Sequence, residues 1–375
     1  MKLVNLTVLI ISPEAWGDIF ISKHYYAVEL AKRGNTVFFL NPPKAINSTF
    51  EVKKIDGYNN LFEISYPHFQ RGLNRLPIYF SNIFSRFLIR KILKEIQPID
   101  LVWSFDPYRF QNLNLFKPQK SLYFSADSHS FMREKLIARS SNLVLTPSRL
   151  IAQKFSKLNK HVYNVGHGVA DFFFDKDKIE NHIILPGENE LKVGYVGNLS
   201  YRYLDKKVLK NIIETNPDVD FIFIGPYKHS NLSHNKTKVN LVYFESLAQN
   251  ENVFLLGPKP PTKVKVYLQL FDLLLLCYDG DADKTFLSNN HKILEYLSSG
   301  KPIVSHYVDE YKNKGDLIQM VNSNKEYNTI FNETLHNLKS LSTEEYCMRR
   351  IEFARDNTYN IKLQKIEEYI HHIED

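Results

Sequence analysis

Apolar runs of strand length alternate with amphipathic, helix-patterned stretches along almost the whole chain. In the first half, LTVLII at 6–11 leads through a polar loop into KHYYAVELAKRG, which stops at Gly34 before TVFFLN. DLVWSF at 100–105, SLYFSA at 121–126 and NLVLTPS at 142–148 follow, each with polar turn residues and a helix-like segment behind it. Near-continuous apolar strands separated by helices predict parallel α/β units, because a strand covered on both faces has no polar side. FEVKKIDGYNNLFEISY at 50–66 differs, reading as two strands about a Gly-Tyr-Asn-Asn turn. The alternation breaks over VYNVGHGVADFFFDKDKIENHIILPGENE, where glycine, charge and proline place a domain joint at about residues 165–190. A second series then begins with KVGYVGN, DFIFIGP, NVFLLGP, DLLLLCYDG and KPIVS. Three of these runs end in Gly followed by Asn or Pro, so three strands finish in tight turns on one sheet edge, where open parallel sheets bind ligands.

The expected architecture is α/β, with two doubly wound Rossmann-like domains facing across a cleft. Residues 1–170 form an N-terminal domain and residues 185–350 a C-terminal one. Residues 351–375 form a terminal helix that crosses back to the first domain. Neither half carries GxGxxG after its first strand, which argues against a dinucleotide oxidoreductase.

Within this frame, NNHKILEYLSSGKPIVS at 289–305 holds a single acidic residue, Glu295. Ile293, Leu294 and Leu297 make an apolar stripe at helical spacing, Asn289 and Asn290 are candidate caps, and Gly300 ends the helix. Glu295 shares the other face with His291 and Lys292, beside the free N–H groups of a first turn that favours anions. Two readings stand side by side: a ligand-facing carboxylate, or a solvated face with an ordinary Glu-Lys pair.

Composition narrows the setting. The chain has 375 residues, is 43% hydrophobic and 24% charged, and so fits an ordinary globular protein of two domains. Two cysteines, Cys277 and Cys347, lie too far apart in sequence for a metal motif and fit a reducing cytoplasm. MKLVNLTVLIISPEAW reads as a first strand rather than a signal peptide, and no run approaches the ~20 apolar residues that cross a bilayer. A net charge of +7 calls for an anionic partner. Without zinc-finger spacing, an RNP-like strand or a dense basic arm, nucleic acid is not that partner.

The order of motifs resembles GT-B glycosyltransferases, particularly the family 4 type and its bacterial branch that assembles capsular, teichuronic or lipopolysaccharide glycans. AVELAKRGNTVFFLNPP is similar to their first helix and second strand, and SNLVLTPSRLIAQKF to a later strand and helix of the first domain. YNVGHGVADFFF resembles their Asn-Gly-Val-Asp joint, with His167 in place of the usual Asn, and KILEYLSSGKPIVS resembles the donor-site helix. The resemblance implies transfer of a sugar from a nucleotide-sugar to a glycan or lipid-linked acceptor, without a metal or other cofactor. It gives Glu295 the ribose hydroxyls of the donor, since a carboxylate can accept two hydrogen bonds from a vicinal diol. The family's earlier Glu, eight residues before, is replaced by Leu287, leaving Asn289, Asn290, His291 and Lys292 to present groups to the donor. Gly197 and Asn198 resemble the phosphate-facing turn, with Arg202 the nearest cation and Lys206 and Lys207 beyond it; a solvated loop arginine is the other reading of Arg202. In the first domain, Asp127 and His129 follow a strand end as general base or orienting groups for the acceptor. Capping the helix near Phe131 is the other role for Asp127. His24 and the Trp16-Gly17-Asp18 loop are further candidates, with capping or packing as their alternative. The same fold without turnover would be a sugar-nucleotide or glycan-binding protein, and with a different reaction a sugar-nucleotide epimerase.

DGDAD at 279–283 reads as a polar loop, because a calcium loop would need Gly at Lys284 and Glu at Asn290. At 71–96, Arg71, Arg75, Arg86, Arg90, Lys91 and Lys94 alternate with Tyr79, Phe80, Phe84 and Phe87. That composition suits a helix lying on an anionic membrane surface at the inner face of the plasma membrane, and it equally suits a helix with one buried face.

Overall fold

The computed structural model describes residues 1–17, 20–45, 47–67, 78–96, 98–127, 132–175, 183–227, 238–280, 285 and 287–373, and the structural statements below concern these. The chain divides into two compact units, residues 1–166 with 359–375, and residues 167–358.

The first unit opens with β1 (Thr7–Ile11), α1 (Ser22–Lys32) and β2 (Thr36–Leu40), the helix ending at Gly34 with φ +85°. The hairpin β3 (Glu51–Lys54) and β4 (Leu61–Ser65) is antiparallel, as the sequence around its turn predicts. Then come α2 (Ile78–Ile96), β5 (Leu101–Ser104), β6 (Lys120–Phe124), α3 (Met132–Ser140), β7 (Leu143–Thr146), α4 (Arg149–Phe155) and β8 (Val162–Asn164). These strands make one sheet in the order β3-β4-β2-β1-β5-β6-β7-β8, parallel except at β3. The short β8 falls within the stretch read from sequence as a joint. Val162 pairs beside Val144, so a neighbouring strand supplies what its own pattern lacks. One face of the sheet packs Ile89, Ile92 and Ile96 of α2 with Ile137 of α3 and Ile151 of α4 into a single core.

The second unit runs β9 (Leu191–Val196), α5 (Lys206–Thr215), β10 (Val219–Ile224), α6 (Lys238–Leu247), β11 (Val253–Gly257), α7 (Pro261–Leu270) and β12 (Leu273–Leu276). It continues through α8 (His291–Leu297), β13 (Ile303–Ser305), β14 (Gln319–Met320), α9 (Tyr327–His336), α10 (Leu338–Leu341) and α11 (Glu344–Arg355). Its parallel sheet has the order β11-β10-β9-β12-β13-β14. The chain then returns to the first unit with α12 (Tyr359–His372), whose Tyr359 stacks on Tyr25 of α1 with centroids 5.1 Å apart.

Each sheet reverses its direction of growth once, between β1 and β5 in the first unit and between β9 and β12 in the second. At such a reversal the connections leave in opposite directions and the carboxyl ends of the two strands border an open crevice, the usual place for a ligand.

Candidate functional site

The crevice of the second unit is built from the ends of β9 and β12 and from α8. β9 and β12 pair only at Val193↔Leu273 and Gly194↔Leu274; beyond that point they part. Tyr296 of α8 fills the gap. Its hydroxyl accepts from the Val196 N–H at 2.7 Å and lies 3.1 Å from the Val196 carbonyl and 3.3 Å from that of Leu275, to which it donates. The sequence pattern gave α8 one apolar stripe, but Ile293 through Leu297 are all buried, because the helix is sunk between strands rather than laid on them.

That setting corrects the solvated-face alternative for Glu295. The residue is only 7% exposed, and its Oε2 accepts from Lys292 Nζ at 2.8 Å. The expected Glu-Lys contact is therefore present, but in partial burial, where an ion pair is screened less than on an open surface. Asn290 is the N-cap of α8, its side chain accepting from the Lys292 N–H at 3.0 Å, so the helix start is closed in part by its own cap. The His291 ring lies 5.9 Å from that of His167. Burial, with Lys292 adding to it, pushes His291 down to about 3, so the ring is neutral at ordinary pH. Leu287, at the position of the resembled family's earlier Glu, is a buried apolar side chain.

On the neighbouring edge, Gly197 is buried, and its carbonyl oxygen lies 1.7 Å from where a Cβ on Gly225 would be. Glycine at 225, with φ +147°, is what allows the ends of β9 and β10 to close so tightly. Asn198 spends its side-chain oxygen on the Ser200 N–H at 2.9 Å, shaping the turn rather than leaving that oxygen open. Arg202 is exposed and lies over the Tyr203 ring at 4.4 Å, with Nη2 donating to the Tyr203 hydroxyl at 2.5 Å. Lys206 opens α5 behind the Asp205 cap, which also accepts from Asn324 Nδ2 at 2.6 Å.

Sequence reading passed over His306, which follows β13 at the same sheet edge. It is fully buried, with Nδ1 3.1 Å from the Leu276 carbonyl and the ring 4.9 Å from that of Tyr278. Burial, against the pull of that carbonyl, pushes it down to about 4, and its Nε2 has no partner among the described residues. Its only signal in the sequence is its place directly after the strand.

In the first unit, Asp127 is exposed just past the end of β6, and its carbonyl accepts from Ser125 Oγ at 3.0 Å. His129, Asp18, Lys284, most of DGDAD and the proposed cap near Phe131 lie outside the described residues. Beside Asp127, the buried Glu134 accepts from Tyr123 and Ser125 hydroxyls at 2.8 and 2.9 Å. Asp106 and Arg109, also unforeseen, pair just beyond β5. Arg109 further donates to the Ser12 carbonyl, to the Asn41 carbonyl at 2.9 Å and to the Tyr66 hydroxyl at 2.5 Å, gathering the ends of β1, β2, β4 and β5. His24 takes the packing and capping role. It is fully buried and stacked on Phe39 and Phe20, and its Nδ1 accepts from the Ile21 N–H at 3.2 Å.

The whole-chain architecture recurs in solved structures. Sucrose-phosphate synthase from Thermosynechococcus elongatus superposes with a TM-score of 0.73 at 12% identity, covering 98% of this chain and 99% of that one. A glycosyltransferase from Rickettsia africae gives 0.68 at 14% identity over 98% of each chain. The Anabaena protein HepE, solved in complex with UDP and glucose, gives 0.63 at 15% identity over 98% and 99%. No family profile matches the chain, and no curated protein matches its sequence. Two doubly wound units, each with its own reversal point, together with these likenesses over nearly full length, define the GT-B fold.

Proposed function

We propose that the protein is a glycosyltransferase that moves a sugar from a nucleoside-diphosphate donor to a glycan acceptor carried on a lipid, in the assembly of a cell-surface polysaccharide. The observation that carries this reading is Glu295, a buried carboxylate on α8, the helix whose Tyr296 joins the parting ends of β9 and β12, with Oε2 accepting from Lys292 and Oε1 without a partner among the described residues. A ribose diol offers two hydroxyl donors to such a group. Proteins of similar fold have been solved with UDP and glucose and with UDP-2-fluoro glucose bound, which makes UDP-sugars the first donors to test. Gly197, Asn198 and Arg202 then serve the diphosphate, whose charge grows as it leaves. Asp127 and His129 serve the acceptor in the first unit, as general base or as orienting groups. A second reading, a chain that binds a sugar nucleotide without turning it over, is favoured by the apolar Leu287.

One experiment separates the readings. The purified protein is given radiolabelled UDP-sugars with a lipid extract as acceptor, and both nucleoside diphosphate and labelled lipid are followed. Stoichiometric appearance of both is expected, falling at least about tenfold in Asp127→Asn with nucleotide affinity unchanged, in line with loss of general acid–base help. Tight donor binding with no product would favour the non-catalytic reading, and a free epimerised sugar would favour an epimerase.

A further inference from the structure

The helix α2 has two apolar faces, one buried against the sheet and the other largely exposed. Leu88, Ile89, Ile92, Leu93 and Ile96 are buried against the sheet. On the opposite arc, Tyr79, Phe80, Ile83, Phe84 and Phe87 are 74, 53, 51, 39 and 59% exposed. Their spacing of one, three and four residues keeps them on one side of the helix. Arg86, Arg90, Lys91 and Lys94 are exposed on the same arc. The arc is graded along its length, aromatic in the first half and cationic in the second.

We propose that this face of α2 docks on an anionic lipid bilayer, with the aromatic half entering the headgroup layer and the cations meeting lipid phosphates. The charge is what selects this occupant. Four cations against the single carboxylate of Glu95 complement an anionic surface. A second copy, apposed about a two-fold axis, would bring the same four cations against one another. No helix among the described residues is long and apolar enough to cross a membrane, so the helix lies on the bilayer rather than through it.

The placement has a purpose for catalysis. As a connection between parallel strands, α2 runs opposite to them, and its Ser81 Oγ is within 3.4 Å of Gln111 Nε2, in the loop leaving the carboxyl end of β5. The aromatic half therefore borders the sheet edge that carries Asp106 and Asp127, where a lipid-borne acceptor would be presented. That consequence rests on the proposed sugar transfer; the docking itself does not.

Vesicle co-sedimentation tests it without donor or acceptor, so its outcome is independent of turnover. Wild type is expected to pellet with phosphatidylcholine vesicles containing phosphatidylglycerol and to stay in solution with phosphatidylcholine alone, with binding lost as salt is raised. F80S/F87S and R86E/R90E each change exposed side chains only, and each should lower partitioning roughly tenfold or more while circular dichroism and Tm stay at wild-type values. Absence of wild-type binding at low salt would overturn the proposal, as would wild-type partitioning in both variants. Concentration-dependent dimerisation lost in F80S/F87S, without vesicle binding, would assign the face to a second copy instead.

Discussion

Glu295 is a carboxylate nearly removed from water, with one oxygen paired to Lys292 and the other without a partner among the described residues. If that oxygen set accepts both ribose hydroxyls, Glu295→Ala leaves two donors unmatched and weakens nucleotide binding by roughly 2–3 kcal/mol. Glu295→Gln retains one acceptor oxygen and costs less. The discriminating measurement is a cycle by calorimetry between residue 295 and the ligand, pairing ribo and 2′-deoxyribo nucleotides with wild type and alanine variant. Removal of the same interaction twice gives a coupling energy well above zero, whereas additive effects would detach Glu295 from the ribose. At this scale the sequence reveals what is local. The Asn290 cap and the left-handed Gly300, φ +74°, follow from residues next to the helix. The burial of Glu295 does not, because it depends on strands from elsewhere in the chain. The same holds for Arg109, whose partners at Ser12, Asn41 and Tyr66 lie at least 43 residues away.

Elements were legible where their own pattern sufficed, and obscure where a neighbour supplied the reason for them. The apolar strands β1, β5 and β12 and the hairpin β3–β4 could be read directly, since continuous burial or a turn between alternating residues leaves its mark on the sequence. The depth to which α8 sinks could not, and Tyr296 shows why: its hydroxyl is bound to Val196, 100 residues earlier. This single hydroxyl links the helix to the parting ends of β9 and β12. Tyr296→Phe keeps the ring packing but leaves the buried Val196 N–H without its partner, a loss of about 1–3 kcal/mol. Urea unfolding should report that loss. Hydrogen exchange should show faster exchange at Val196 and Gly197 in particular, because the hydroxyl holds the strand end that leads into the Gly197 turn. Uniform acceleration across the second unit, with no excess at those two amides, would mean that the hydroxyl contributes to general stability and not to the shape of the crevice.

At the scale of the molecule, chain order and structural membership part company at the end. The last helix, α12, follows the whole second unit in sequence yet belongs to the first. Its Leu363, Ile366 and Ile370 are fully buried and Tyr359 is 2% exposed. Glu367 accepts from the Leu3 N–H at 2.6 Å, and Asn360 receives two bonds from Arg33 Nη2. Burying side chains of this kind contributes roughly 1.5–3 kcal/mol each, so four of them approach the whole stability of an ordinary domain, about 5–15 kcal/mol. A chain ending at Thr358 should therefore lose structure at its beginning rather than at its end. In hydrogen exchange, protection should collapse across residues 1–166, first in α1, against which α12 packs, while residues 167–358 keep wild-type protection, since their sheet and α11 remain complete. Because the two units then unfold separately, a single melting temperature would conceal the effect, and exchange resolved by segment is the measurement that decides it. Retention of wild-type protection in α1 would show that the first sheet holds without its final helix, and preferential loss in α11 or β13 would place α12 with the second unit instead.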